Sequence, residues 1–168
     1  SFVLPVATRN GYIFNGWKTA DGELYTSENG MGFKPWDVAQ DVMLFADWTR
    51  KQFYIQVNAN GTITWLGSGG FTNEKTPIAY GTTFMSAEEL EQKFNPQKIS
   101  YKSGHKFVYF TLEDGTKFTS WAAVPNLGEN GTIFSIHAYF VKEVNFNIIF
   151  DGYTTSFGVN PFTADYGE

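Results

Sequence analysis

Residues 11–27 and 104–120 lie over one another without a gap. Gly11 falls on Gly104, Phe14 on Phe107, Trp17 on Phe110, Asp21-Gly22 on Asp114-Gly115, and Thr26-Ser27 on Thr119-Ser120. Further on, Phe45-Ala46-Asp47-Trp48 matches His137-Ala138-Tyr139-Phe140, and residues 53–58 match residues 146–151. An internal repeat constrains a fold more tightly than any short motif, because every copy must build the same supersecondary unit.

The repeat predicts three pieces. Residues 51–143 form a complete module, and residues 1–50 form a partial module that lacks its opening hairpin. Residues 144–168 supply an opening hairpin that completes a 1–50-type module, in the same chain or in the next subunit. Joining tail to head makes the point: Tyr166-Gly167-Glu168-Ser1-Phe2 reproduces Tyr80-Gly81-Thr82-Thr83-Phe84. The wrapped copy then runs through Leu4-Pro5 straight to Asn10-Gly11, without the helix described next.

Within each copy the local pattern is that of strands. Apolar and aromatic residues alternate with polar ones in 12–17, 53–57, 106–110, 132–136 and 146–150, which is the period of a half-buried strand. Asn10-Gly11, Asp21-Gly22, Asn60-Gly61, Asp114-Gly115, Asn130-Gly131 and Asp151-Gly152 are hairpin-type turn signals. One segment departs from this. Ser86 with Glu89 forms a capping box, Leu90 and Phe94 share a helical face, and Asn95-Pro96 stops the turn, so a helix is predicted over about 86–95. The expected class is mainly β (α+β), built of antiparallel sheet with one short helix in the second module.

Composition narrows the partners. The chain is 42% hydrophobic and 18% aromatic but only 17% charged, which excludes a disordered tail. Net charge is −5, and no basic cluster exceeds Arg50-Lys51, so neither nucleic acid nor an anionic membrane surface is an expected partner. No apolar run reaches membrane-spanning length. Cysteine is absent, which removes disulfides, thiolate zinc sites and cysteine nucleophiles.

The chemistry-bearing residues read as structural. His105 and His137 have no ligand-spaced neighbours. Gly67-Ser68-Gly69-Gly70 lacks the Lys-Ser/Thr and helix of a phosphate loop, and reads as a hairpin connection. Glu88, Glu89 and Glu91 spread over a solvated helix face. Asn60-Gly61-Thr62 and Asn130-Gly131-Thr132 fit the glycosylation sequon, but Asn-Gly is also what a tight turn needs. No cofactor, metal or catalytic residue is expected. Trp17 and Trp48, at repeated strand positions, are expected in the core, whereas Trp36 and Trp65, in irregular stretches, are candidate contact aromatics.

Tyr166-Gly167 with Pro5, then Gly11-Tyr12-Ile13-Phe14-Asn15-Gly16-Trp17, then Leu44-Phe45-Ala46-Asp47-Trp48-Thr49, resembles the Listeria–Bacteroides repeat of the internalin B-repeat type. Residues 51–143 carry the pattern in weaker form, with Gly104-His105-Lys106-Phe107-Val108-Tyr109-Phe110 in place of the glycine-tryptophan signature. The resemblance implies a β-grasp-like, ubiquitin-like module repeated in bacterial surface proteins, an extracellular location and a role as stalk or spacer without catalysis. The expected partners are other copies or neighbouring repeats. The assembly junction is expected at Ser1, Phe2, Phe146, Ile148, Phe150, Tyr166, Gly167 and Glu168. The alternative is an adhesin module that holds a glycan or host protein through exposed aromatics.

Overall fold

The computed structural model describes residues 2–37, 39–59, 62–67, 70–71, 75–94 and 104–142. The expected tail strands at 146–150 and 157–166, with Ser1 and the Asn60-Gly61 and Asp151-Gly152 turns, lie outside them. The described elements are β1 (Tyr12–Lys18), β2 (Phe45–Arg50), β3 (Gln52–Ala59), β4 (Thr62–Gly67), β5 (Gly70–Phe71), β6 (Pro77–Ala79), α1 (Ala87–Phe94), β7 (His105–Thr111) and β8 (Ile133–Lys142). Among the described residues the fold is mainly β with one short helix and two sheets. β1 and β2 form a two-stranded antiparallel sheet, and the second sheet has the order β5-β4-β3-β8-β7, with β6 paired to β3.

One pairing departs from the antiparallel expectation. Gly131 donates its N–H to Gln52, Tyr54 donates to Thr132, and the Gln56 side chain reaches Ser135. These bonds advance in the same direction along both segments, so β3 and β8 run parallel. A parallel pair needs a long crossover, and here everything from β4 to β7 supplies it.

The chain divides into two compact units, one of residues 1–55, 75–84 and 121–134, the other of 56–74, 85–120 and 135–168. In the first, Phe14, Tyr25, Phe53, Ile55, Phe84 and Val124 are buried. In the second, Val57, Leu90, Phe110, Phe118 and Ile136 are buried. β3 shows why a strand forms: Phe53, Ile55 and Val57 are buried while Gln52, Tyr54 and Gln56 between them are not. Burying each of those three side chains is worth about 1.5–3 kcal/mol.

The helix starts where the capping box places it. Ser86 N–H donates to Glu89 Oε2 at 2.7 Å, and Glu89 N–H donates to Ser86 Oγ at 3.2 Å. Two otherwise unpartnered N–H groups are thereby satisfied. Leu90, one turn in, is fully buried.

The sequence repeat is a backbone repeat as well. β1–β2 pairs Tyr12 with Arg50 through Lys18 with Phe45, with a bulge between Phe14 and Gly16. β7–β8 pairs His105 with Lys142 through Thr111 with His137, with a bulge between Phe107 and Tyr109. These are aligned positions throughout. The turns agree too: Thr19 N–H bonds Glu23 and Tyr25 N–H bonds Trp17, just as Leu112 bonds Thr116 and Phe118 bonds Phe110. Of the four described turn signals, only Asp21-Gly22 and Asp114-Gly115 close such hairpins. Asn10-Gly11 and Asn130-Gly131 lead into β1 and β8 instead, because their carbonyl or amide is taken by a distant strand: Gly11 accepts from Lys51, and Gly131 donates to Gln52.

Candidate functional site

The features able to make contacts lie at strand edges and aromatic clusters, and most of those described belong to the first unit. Its N-terminal segment pairs antiparallel with 30–32: Leu4 N–H donates to Gly30, Gly32 N–H donates to Phe2, and Val3 bridges Met31. This pairing seats the Phe2 ring 5.3 Å from Trp36, edge on, and 6.2 Å from Tyr25. Trp36 in turn lies 5.5 Å from Tyr25. The Tyr25 hydroxyl donates to Asp37 Oδ1 at 2.8 Å, which lowers the Asp37 pKa and raises that of Tyr25. Lys34 Nζ lies 5.1 Å from the Tyr25 ring centre. Trp36 keeps 44% of its surface exposed, and Val3 (69%), Met31 (50%) and Phe33 (63%) are exposed as well.

Among the described residues the first unit contains no helix. Residues 5–10 cross β1–β2 without regular structure, and the Trp17 indole N–H donates to the Pro5 carbonyl at 2.8 Å. Between this strap and the sheet lies an open groove of about 530 Å³, lined among others by Val6, Arg9, Tyr12, Phe14, Trp48 and Lys51. Phe14 is buried, with Trp17 at 5.5 Å and Trp48 at 5.4 Å around it. These two indoles cover Phe14 within residues 1–50. Trp17 and Trp48 themselves are half-buried rather than core.

A second contact in this unit involves Gly11 (φ +75°), whose Cα faces the Tyr80 ring so closely that a Cβ would overlap the ring atoms. Tyr12 meets Tyr80 edge on at 5.7 Å, and Arg9 lies 4.0 Å over the Tyr12 ring. Asn126 Nδ2 donates to Asn10 Oδ1 at 2.7 Å, and Lys51 Nζ donates to the Gly128 carbonyl at 2.8 Å. Sequence reading missed this joint, because Gly11 sits in an Asn-Gly pair that resembles any other turn. The Tyr-Gly step repeated at 80–81 and 166–167 is the available signal.

The edges of the two ladders differ. β8 is hydrogen-bonded on both sides, to β7 and β3. β2, its counterpart, is bonded among the described residues only to β1. Met43, aligned with Ser135, is 73% exposed where Ser135 is 8% exposed. Val42 and Phe45 beside it are exposed as well.

The remaining candidates read as follows. Of the expected junction residues, the described part contains Phe2 alone, and Trp65 is described only by its backbone pairing with Gln56. His105 and His137 stand at opposite ends of the β7–β8 ladder. Gly67 pairs with Gly70 between antiparallel β4 and β5, and Ser68-Gly69 lies outside the described residues. Asn130 Oδ1 accepts from the Gln52 N–H at 2.8 Å and so serves its turn. Glu88 and Glu91 are exposed on α1, and bonds from backbone N–H and Ser86 lower the Glu88 pKa. Among the described residues no acidic or histidine cluster is arranged to hold a metal, and no helix is long and apolar enough to cross a membrane.

Comparison with family models, with curated proteins and with solved structures returned no match.

Proposed function

We propose that this chain is a structural repeat unit of an extracellular bacterial surface protein, a stalk, fibre or filament element that works by shape and linkage rather than by catalysis. One observation carries the reading: the same bulged, hairpin-closed ladder is built twice, at aligned positions, from different side chains. Modules that repeat at this level form quasi-one-dimensional arrays, in which each contacts its neighbours. The order within the second sheet supports a β-grasp-like module of the Listeria–Bacteroides type. Its opening strand β3 lies beside and parallel to its closing strand β8, and a helix follows the opening hairpin. The contact of Gly11 with Tyr80 joins the two copies in sequence, which suits a spacer that must keep its length under load.

The test is a fusion of two copies, Glu168 to Ser1. An array predicts a higher unfolding midpoint for the fusion than for the single chain, and a longer maximum dimension by small-angle scattering. Equal midpoints with no lengthening would remove the reading.

A second reading, an adhesin module, rests on the exposed Trp36, since aromatic residues are enriched at contact surfaces. A glycan-array or host-protein signal abolished by Trp36→Ala would favour it.

A further inference from the structure

We propose that the outer edge of residues 39–45 and β2 is an acceptor for one added strand, and that its occupant is segment 146–150 of a second copy of this chain, running parallel to β2. The inference rests on the repeat reading above and adds the site, the direction and the register.

The internal template defines all three. β2 and β8 occupy aligned positions, and β8 carries β3 on the edge that β2 leaves unpaired among the described residues. Residues 146–151 are the stretch that aligns with 53–58 of β3. Transferring the bonds of Gly131 to Gln52 and of Tyr54 to Thr132 gives Ala39 N–H to the Asn145 carbonyl and Asn147 N–H to the Gln40 carbonyl. The side-chain chemistry fits as well. Phe146, Ile148 and Phe150 take the places of Phe53, Ile55 and Val57, all three fully or almost fully buried. Met43 and Val42 would lose their exposure, as Ser135 and Phe134 have in the completed copy. An unpaired edge with exposed apolar side chains is what strand addition uses.

A second copy is the occupant because of the order in which strands serve modules. β3 follows β2 after the single residue Lys51, yet it pairs with β8, which comes later, and not with β2. An opening strand therefore completes the closing strand that follows it in sequence. Segment 146–150, which follows β8, then serves a β2-type edge other than the β2 that precedes it, and a second copy of this chain offers such an edge. The contact is heterologous and open, so repetition extends it into a filament.

The experiment uses the whole chain. Sedimentation velocity over a concentration series should show growth past the dimer. Met43→Lys, at a position exposed enough to leave folding intact, disables the acceptor, and Ile148→Lys disables the donor. Each variant alone should lose the species larger than monomer, and an equimolar mixture should form a dimer that grows no further. Unlabelled Met43→Lys protein, added to isotopically labelled Ile148→Lys protein, should slow amide exchange at residues 39–45 of the latter. Wild-type protein that stays monomeric at all concentrations overturns the proposal, and so does slow exchange at 39–45 in that monomer, which would mean pairing within one chain. Growth that survives both substitutions overturns it as well. None of these outcomes bears on the covalent fusion, so the array reading can stand or fall separately.

Discussion

The β1–β2 and β7–β8 ladders have the same register, the same bulge position and the same hairpin, yet each is finished with different chemistry. Around the buried Phe14 stand Trp17 and Trp48. At the aligned positions Phe107 has Phe110 at 4.8 Å and Phe140 at 5.9 Å. The bulge itself is occupied differently. Gly16 (φ +137°) lies so close to the Thr26 carbonyl that a Cβ would overlap it, and the buried Thr26 accepts the Trp17 N–H on its hydroxyl at 2.9 Å. The aligned Tyr109 instead stacks on Tyr139 at 4.8 Å, with Lys117 5.4 Å from its ring centre. The surroundings of the ladders differ too: a strap of irregular chain crosses the first, and the unit of the second contains a capped helix with Leu90 fully buried. A backbone ladder thus tolerates two solutions, one closed by main-chain contact and one by side-chain stacking.

The sharpest way to break this comparison is at the bulge. Gly16→Ala should destabilise by roughly 2–5 kcal/mol, combining positive-φ strain with overpacking against the Thr26 carbonyl. Tyr109→Ala, which loses only a half-exposed stack, should cost about 0.5–1.5 kcal/mol beyond its lost area. Urea unfolding of both variants would show whether the gap exists, and equal costs would mean the two bulges are built alike.

Next is the cover. Leu90→Ala should cost about 2–5 kcal/mol, because the residue is fully buried beneath α1. Val6→Ala in the strap, at a half-exposed site, should stay within about 0.5 kcal/mol. Thermal denaturation of the pair measures how much more the helix contributes than the strap.

A smaller contrast separates two aligned glycines with nearly the same φ, Gly11 at +75° and Gly104 at +73°. Alanine at either should cost about 1–2 kcal/mol for left-handed backbone. Gly11→Ala should exceed Gly104→Ala by about 1–3 kcal/mol, since only at Gly11 would the new methyl meet a ring. If both cost the same, the Tyr80 contact contributes nothing.

The smallest effect concerns charge. Lys18 Nζ at 2.6 Å, and then Asn15, hold the Asp47 pKa below the usual carboxylate value, and Tyr139 at the aligned place has no such role. A lowered folded-state pKa adds stability at pH above the unfolded carboxylate value, and that stability is lost as pH falls through the folded one. Asp47→Asn should therefore cost about 0.2–1 kcal/mol near neutral pH and progressively less below about pH 4. Urea titrations at pH 7 and pH 3 check the sign.

Sequence alone determined the features set by neighbours along the chain. The period of β3, the Ser86–Glu89 capping box and the Asp-Gly hairpins at 21–22 and 114–115 all follow from spacing, because each is set by hydrogen bonds or side chains a few residues apart. Asp21 and Asp114 even share a lowered pKa, Asp21 through the Thr19 hydroxyl and Asp114 through the Thr116 N–H. What it could not determine was who meets whom at long range. That β8 enters parallel beside β3, that Tyr80 lies on Gly11, and that Trp36 packs against Phe2 depend on partners tens of residues away. Asn-Gly at 10–11 and at 130–131 looks the same as a hairpin turn in sequence, since the residue that redirects it, Lys51 or Gln52, is delivered only by the folded chain.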